Sequence, residues 1–222
     1  MKTRLVRLVV LAAWLLGVCL PASASVSYDT CTWTGAVSDD WNTAANWSCG
    51  HVPSPNDACF IPPTGRQPRI YTSATIGSLT LNSGGQLAFA AGSALTLNDD
   101  LVLNSQSTLK PSSGTTITLN GGDWTNNGGG VDAGPNAWTA IFNLPGNQTI
   151  NGTATTQTFY NVGVNNQSMS SATLLVGGST TTLNVSGTLT LGQDTTFNPG
   201  TATNLNVGGN WINNGGSLEG GA

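Results

Sequence analysis

The chain has little charge of either sign. Only 7% of its 222 residues are charged, and three of its six basic residues fall within the first seven positions. The other three, Arg66, Arg69 and Lys110, are outnumbered by ten acidic residues. Such a chain offers no basic patch to a nucleic acid and little attraction to an anionic lipid surface. We therefore expect no nucleic acid partner. Because no segment after the N-terminal one approaches transmembrane length, we also expect no membrane insertion of the mature chain.

Histidine is nearly absent, which argues against catalysis. His51 is the only histidine, and we interpret it as a loop residue rather than a ligand or base. The sequence therefore contains no catalytic triad, and none of its His, Asp and Glu residues has the spacing of a zinc site. We expect no enzymatic activity, no metal and no cofactor. Two adjacent acid pairs, Asp39–Asp40 and Asp99–Asp100, are retained as candidate calcium ligands in loops.

Long apolar runs are missing except at the N-terminus. A basic start is followed by a 13-residue apolar run, Leu8–Leu20, then Pro21 and the small residues Ala22–Ala24. The run is too short to span a bilayer comfortably, so residues 1–24 are predicted to form a secretory signal peptide. Lipid attachment at Cys19 is the alternative, although Val18 stands where a small residue is expected. The protein is expected to be secreted or on the cell surface.

The mature part has regularly spaced aliphatic residues. They recur every six or eight positions, at Leu79, Leu87, Leu95, Leu101, Leu109 and Ile117. Most have an apolar companion two residues later, which is the period of a strand with one buried face. Turn-forming clusters of Asn, Gly, Ser and Asp separate these short runs. The mature chain is therefore predicted to be all-β.

The spacing favours a solenoid over a sandwich. Three strand-and-turn units take 22 residues, as from Leu79 to Leu101, which suits one coil of a three-faced parallel β-helix. Antiparallel hairpins share this pattern, but the neutral Asn, Thr and Gly composition favours the coil. We predict a single-stranded parallel β-helix of about six or seven coils over residues 75–222, with amide ladders along the turns. Thr158–Val164 is one of the later predicted strands.

A nine-residue block occurs twice. Gly121–Gly129 returns 87 residues later as Gly208–Gly216, as expected for a protein built by stacking similar units. Trp124 and Trp211 occupy matching places in the two copies. We interpret both as structural residues of a corner or core rather than as sugar-binding platforms.

Residues 25–74 have a different composition, rich in tryptophan and cysteine. Trp33, Trp41 and Trp47 are expected to plug the apolar end of the solenoid, because an end coil leaves unpaired strand edges. Alternatively, the same three residues are candidate glycan contacts on an exposed platform. The preferred disulfide joins Cys31 to Cys49 around this tryptophan cluster. Pairing with Cys59 and a fully reduced state remain open.

Several of these motifs resemble one group of proteins. They are Trp33–Gly35, Asn46–Trp47, Val52–Pro53, Asp57–Ala58, the GGxWxNNG block, Gln148–Ile150 and Phe159–Asn161. The chain resembles secreted bacterial surface repeat proteins with a Trp-rich N-terminal cap, many of them adhesin-like. The resemblance implies a right-handed parallel β-helix. Because the second block is not followed by the next motifs of that pattern, we also expect the chain to be a fragment of a longer protein. Such a fragment should associate through its uncapped last coil, which size-exclusion chromatography would detect.

Two classes of function fit this sequence. One is a noncatalytic extracellular or cell-surface rod, serving as an adhesin, a stalk or a matrix component, with glycans or surface proteins as partners. The other is a carbohydrate-binding or carbohydrate-active β-helix that uses Trp and Asp as sugar contacts. A passenger domain of an outer-membrane export system is a weaker third hypothesis.

Overall fold

The computed structural model describes residues 29–132, 135–168 and 170–220. The predicted signal peptide lies outside the described residues. Within these ranges one short 3-10 helix spans Ala44–Asn46, and all other regular structure is β. In chain order the strands are β1 (Thr30–Thr32), β2 (Ala58–Ile61), β3 (Arg69–Ile70), β4 (Ser73–Ile76), β5 (Ser78–Leu81), β6 (Gln86–Phe89), β7 (Ala94–Leu97), β8 (Leu101–Leu103), β9 (Thr108–Lys110), β10 (Thr116–Leu119), β11 (Trp124–Asn126), β12 (Gly130–Val131), β13 (Thr139–Leu144), β14 (Gln148–Asn151), β15 (Thr156–Phe159), β16 (Asn161–Asn166), β17 (Ala172–Val176), β18 (Thr182–Val185), β19 (Leu189–Leu191), β20 (Thr195–Asn198), β21 (Asn204–Val207), β22 (Trp211–Asn213) and β23 (Ser217–Leu218).

The strands stack into a parallel solenoid. From β2 onward, paired strands are parallel and lie three places apart in the chain. One face is a nine-stranded sheet and the second is a seven-stranded sheet. The third face consists of a four-stranded sheet (β3, β6, β9, β12) and a three-stranded sheet (β15, β18, β21). Strands β2 to β22 thus make seven coils of three strands, which confirms the predicted fold class.

Aliphatic side chains fill the inside of the coils. Leu79 pairs with Leu101 and Leu95 pairs with Ile117, so equivalent residues of these coils are 22 positions apart, as predicted. All four side chains are 0% exposed. Burying a side chain of this size stabilises the fold by about 1.5–3 kcal/mol, so the stacked rows supply the main favourable term.

The structure differs from the sequence prediction in three places. The first coil begins at Ala58, well before residue 75, because β2, β3 and β4 already pair with β5, β6 and β7. Short strands and the proline-rich loop between β2 and β3 concealed this coil. Thr158–Val164 is not one strand: β15 and β16 lie on different faces, with a corner at Tyr160. Later coils are also longer, since Trp124 pairs with Ile150, 26 residues on.

The repeated block encodes a local structure rather than a position on the solenoid. In the first copy, Asn126 Oδ1 accepts the backbone N–H groups of Gly128 and Gly129 at 3.0 and 2.8 Å. In the second copy, Asn213 Oδ1 accepts those of Gly215 and Gly216 at the same two distances. Both copies therefore form a three-residue strand that ends in a turn closed by an asparagine side chain.

The two copies nevertheless lie on different faces. Trp124 belongs to β11 in the nine-stranded sheet and is 0% exposed, whereas Trp211 belongs to β22 in the seven-stranded sheet and is 39% exposed. Trp211 pairs with the buried Leu189, and β22 ends the order of its sheet among the described strands. The core interpretation therefore holds for Trp124, whereas Trp211 is only partly covered.

A ladder of asparagine amides runs along one corner of the solenoid. Asn120 Nδ2 donates to Asn98 Oδ1 at 3.3 Å, and Asn143 Nδ2 donates to Asn120 Oδ1 at 3.0 Å. Asn165 Nδ2 continues the series to Asn143 Oδ1 at 3.1 Å. The predicted amide ladder is therefore present across four coils. It ties neighbouring turns together without placing like charges one coil, about 4.8 Å, apart.

The N-terminal segment, residues 29–57, packs on the first coil. Its strand β1 extends the nine-stranded sheet, with Cys31 opposite Cys59. Further along, the Trp41 backbone N–H donates to Arg69 O at 3.0 Å, on strand β3. The segment is closed by the Cys31–Cys49 disulfide, which confirms the predicted pairing, and Cys59 is a buried free thiol. Burial raises the pKa of the Cys59 thiol far above its ordinary value.

Candidate functional site

The seven-stranded sheet presents a neutral outer face. None of its seven strands contains a charged residue. Its outward side chains include a row of threonines in register, Thr75, Thr96 and Thr118, on three successive coils. Neighbouring residues of such a row are about 4.8 Å apart, so hydroxyl and methyl groups repeat regularly along the solenoid. We call the outer surface of this sheet the threonine face.

The four-stranded sheet carries a charged cleft. Strand register places Ala88 between Arg69 and Lys110, while Asp132 follows Val131, the partner of Leu109. These three charged residues help to line an open cleft of about 350 Å³. The Lys110 ammonium donates to Gln86 Oε1 at 2.7 Å. Lys110 looks isolated in the sequence, but the coil brings it onto the same surface as Arg69.

The three tryptophans proposed as glycan contacts are inside the protein. Trp33, Trp41 and Trp47 are 1%, 0% and 3% exposed. Trp47 lies edge-on to both of the others, with ring centroids 5.1 and 4.6 Å apart. The indole N–H of Trp33 donates to Arg66 O at 2.7 Å, and that of Trp47 donates to Trp41 O at 2.9 Å. In this arrangement their faces stabilise the N-terminal segment and present no platform for a sugar ring.

The two acid pairs are engaged in local hydrogen bonds. Asp39 Oδ2 accepts the Tyr71 hydroxyl at 2.9 Å, and this bond raises the pKa of Tyr71 above its ordinary value. Asp100 Oδ1 accepts the Asp123 backbone N–H at 2.8 Å, from the next coil. Among the described residues, neither pair belongs to a group of three potential metal ligands. The structure therefore adds no support for calcium at these sites.

Parallel pairing of β1 with β2 creates a different cluster. Thr30 pairs with Ala58, so the preceding residues Asp29 and Asp57 come side by side. The Asp29 backbone N–H donates to Asp57 Oδ1 at 3.1 Å, and the Ser54 N–H donates to Asp57 Oδ2 at 2.6 Å. His51 Nε2 lies 3.1 Å from Asp57 Oδ2 and 3.9 Å from Asp29 Oδ2. One imidazole and two carboxylates thus converge.

Hydrogen bonds hold the imidazole of His51 in one orientation. Its Nδ1 lies 3.2 Å from the carbonyl oxygen of Cys49, which can only accept, so Nδ1 carries a proton. The bond to Asp57 raises the pKa of His51 and outweighs the opposing effect of burial. Burial would raise the pKa of Asp57, but hydrogen bonds from Ser54 and His51 together lower it. The two shifts together favour a protonated imidazole beside an ionised carboxylate.

Sequence reasoning missed this cluster because its members are far apart in the chain. His51 and Asp57 are six residues apart, but Asp29 joins them only through the β1–β2 register. The available signal was that Ala58–Ile61 is a short apolar run, and that Thr30–Thr32 is a short segment able to pair with it as a strand. Had these two been predicted as paired strands, the acids preceding them would have been predicted as neighbours.

Comparisons with known proteins give one partial match. Residues 32–133 match a family described as a domain of unknown function, DUF8693. This region covers most of the N-terminal segment and the first coils. No curated protein and no solved structure matches the chain. In the part of the chain that the structure describes, no helix is long and apolar enough to cross a membrane.

Proposed function

We propose that this protein is a noncatalytic rod that acts outside the cell as an adhesin, stalk or matrix component. The observation that carries the proposal is the threonine face, a charge-free outer surface on a stack of seven coils. Its threonines repeat in register on three successive coils, and the neutral surface continues on the later ones, so one extended partner can make several weak contacts at once. Such multivalent binding gives strong attachment without a deep pocket.

The predicted signal peptide and the Cys31–Cys49 disulfide support an extracellular setting. The resemblance of the tryptophan-rich segment and the GGxWxNNG blocks to secreted bacterial repeat proteins points the same way. Glycans are the partner we propose for the threonine face, because neutral hydroxyl-rich ligands match its hydrogen-bonding groups and its lack of charge. Trp33, Trp41 and Trp47 have a supporting role in holding the N-terminal segment on the first coil.

An adhesion assay tests this proposal. Beads coated with the protein are applied to a glycan array, and a Thr96→Lys/Thr118→Lys variant is compared with a Thr80→Lys/Val102→Lys control. Both pairs are adjacent and outward on neighbouring coils, but the control lies on the nine-stranded sheet. We expect loss of retention only for the threonine-face variant. Equal retention of both variants, or no glycan binding by the unaltered protein, would refute the proposal.

The charged cleft favours a second candidate, a carbohydrate-active β-helix. Arg69, Lys110 and Asp132 place two cations and one carboxylate on an open surface. The cations suit an acidic polysaccharide, and the carboxylate is the candidate general acid or base. A reducing-end assay with neutral and acidic polysaccharides distinguishes the two functions, with Asp132→Asn as the test variant and Asp99→Asn as the control. Turnover that disappears only in Asp132→Asn would establish an enzyme and exclude a noncatalytic rod.

A further inference from the structure

We propose that Asp29, His51 and Asp57 form a binding site for a divalent transition-metal ion of the zinc type, which fastens the N-terminal segment to the first coil. The three residues come from the start of β1, from the loop after the disulfide, and from the start of β2. A shared ion would connect all three of these places.

The hydrogen-bond pattern around the imidazole is the first argument. Nδ1 donates to the Cys49 carbonyl, so Nε2 is the ring nitrogen that faces Asp57 Oδ2, at 3.1 Å. Two acceptors at this distance repel each other unless a positive centre lies between them. A proton on Nε2 is one such centre, and a metal ion is another, which would also reach the Asp29 carboxylate oxygen 3.9 Å from the same Nε2. A divalent cation neutralises both acids at once.

The distances fit a metal with short bonds. Zinc–nitrogen and zinc–oxygen bonds of about 2.1 Å separate neighbouring ligand atoms by about 3.0–3.4 Å. The Nε2–Asp57 distance of 3.1 Å lies in this range. The Asp29 oxygen must approach by about half an ångström. The Asp29 side chain is 49% exposed.

The surroundings also resemble the support that metal ligands need. A ligating histidine normally donates its second ring N–H to a carbonyl or carboxylate, and His51 does so to Cys49. Asp57 is only 2% exposed and is oriented by the Ser54 N–H at 2.6 Å. The imidazole donor favours zinc over calcium, which prefers oxygen ligands. The solvent-facing side leaves a fourth position for water.

The cysteines of the disulfide lie next to this cluster. Cys31 Sγ is 3.8 Å from His51 Nε2, and Cys31, Cys49 and His51 form a second possible ligand group. With the disulfide intact, neither sulfur is a thiolate, so neither sulfur contributes to the proposed site. The proposal therefore specifies nitrogen and oxygen ligands only, which spectroscopy can distinguish from sulfur.

The test is zinc titration of the tag-free protein with its disulfide intact, followed by calorimetry. We expect one zinc ion per chain and a higher melting temperature with zinc. His51→Gln should weaken binding by more than about 100-fold and Asp29→Asn by about 10-fold or more, since loss even of an outer-shell group has effects of this size. Asp39→Asn, a carboxylate on the same segment but outside the cluster, is the control and should bind normally.

Two further readouts keep the test decisive. Circular dichroism of the zinc-free variants checks folding, and the half-exposed Asp29 provides a variant that leaves the buried Asp57 bonds intact. Cadmium-113 NMR should show a resonance typical of nitrogen and oxygen ligands. The absence of saturable zinc binding, binding unchanged in both His51→Gln and Asp29→Asn, or a thiolate-type cadmium resonance would each overturn the proposal.

Discussion

Gly122, the second glycine of the repeated block, allows a close contact between two coils. Substituting alanine, which adds one methyl group, tests this contact directly. A Cβ atom built on Gly122 would lie 2.1 Å from the carbonyl carbon of Asp99 and 2.3 Å from the Asp100 nitrogen. Both are backbone atoms of the preceding coil. Ordinary contacts with a Cβ begin at 3.4 Å, so Gly122→Ala must move the coils apart by more than an ångström.

The expected effect is large for a single methyl group. Overpacking a well-packed site lowers the free energy of unfolding by about 1–3 kcal/mol. We expect Gly122→Ala to lie at the upper end of this range, because the contacting atoms belong to the backbone and cannot rotate away as a side chain could. For a protein of this size, about 3 kcal/mol corresponds to a fall in melting temperature of roughly 6–12 °C. Calorimetry and urea unfolding measure this change. Since solenoids can unfold coil by coil, both probes are needed to establish a single transition.

The adjacent glycine provides the control. A Cβ on Gly121 would lie 3.4 Å from the Asn98 oxygen and 3.5 Å from Pro145, which are ordinary contact distances. Gly121→Ala should therefore change the free energy of unfolding by less than about 0.5 kcal/mol. If Gly122→Ala is as stable as Gly121→Ala, the described contact between these coils is wrong.

Three more predictions concern other parts of the protein. Cys49→Ser removes the disulfide, whose cysteines are separated by 18 positions in the sequence. It should lower the free energy of unfolding measured by urea titration by about 3 kcal/mol, and an unchanged unfolding midpoint would contradict the structure. Tyr71 should ionise at lower pH in Asp39→Asn, because the bond that raises its pKa is weakened, and carbon-13 NMR of the phenol ring during a pH titration should show it. Trp124→Ala should cost about 3–5 kcal/mol, and Trp211→Ala clearly less, because only Trp124 is fully buried; equal losses would show that the two block copies are packed alike.

The fold could be predicted from local pattern because a solenoid is made of local pattern. Alternation fixes which side chains point inward, and a 22-residue spacing fixes the coil, so Leu79, Leu95 and Ile117 were placed correctly. The same reasoning failed where coils lengthen, because a loop insertion changes the spacing without changing the alternation. It also failed at β3, since two residues are too few to show a period.

The charged and titratable surfaces were harder to predict because they depend on register across coils. Lys110 and Arg69 are 41 positions apart in the sequence, yet only Ala88 separates them along the four-stranded sheet. Asp29 and His51 likewise meet only after β1 pairs with β2. A single-sequence pattern shows which face a residue occupies, whereas the neighbours on that face depend on the exact length of every intervening turn.

The relation between repeat and face has a consequence for the proposed function. An 87-residue repeat carries Trp124 from the nine-stranded sheet to Trp211 on the seven-stranded sheet, because 87 is not a whole number of coils. Both copies of the block therefore form a strand, an asparagine-closed turn and a close glycine contact. Because they lie on different sheets, they do not present the same ligand surface on one face of the solenoid. The threonine face arises differently, from register between successive coils. If adhesion depends on that face, substitutions along one sheet should combine in their effect on retention, whereas equivalent positions of the two blocks should act independently.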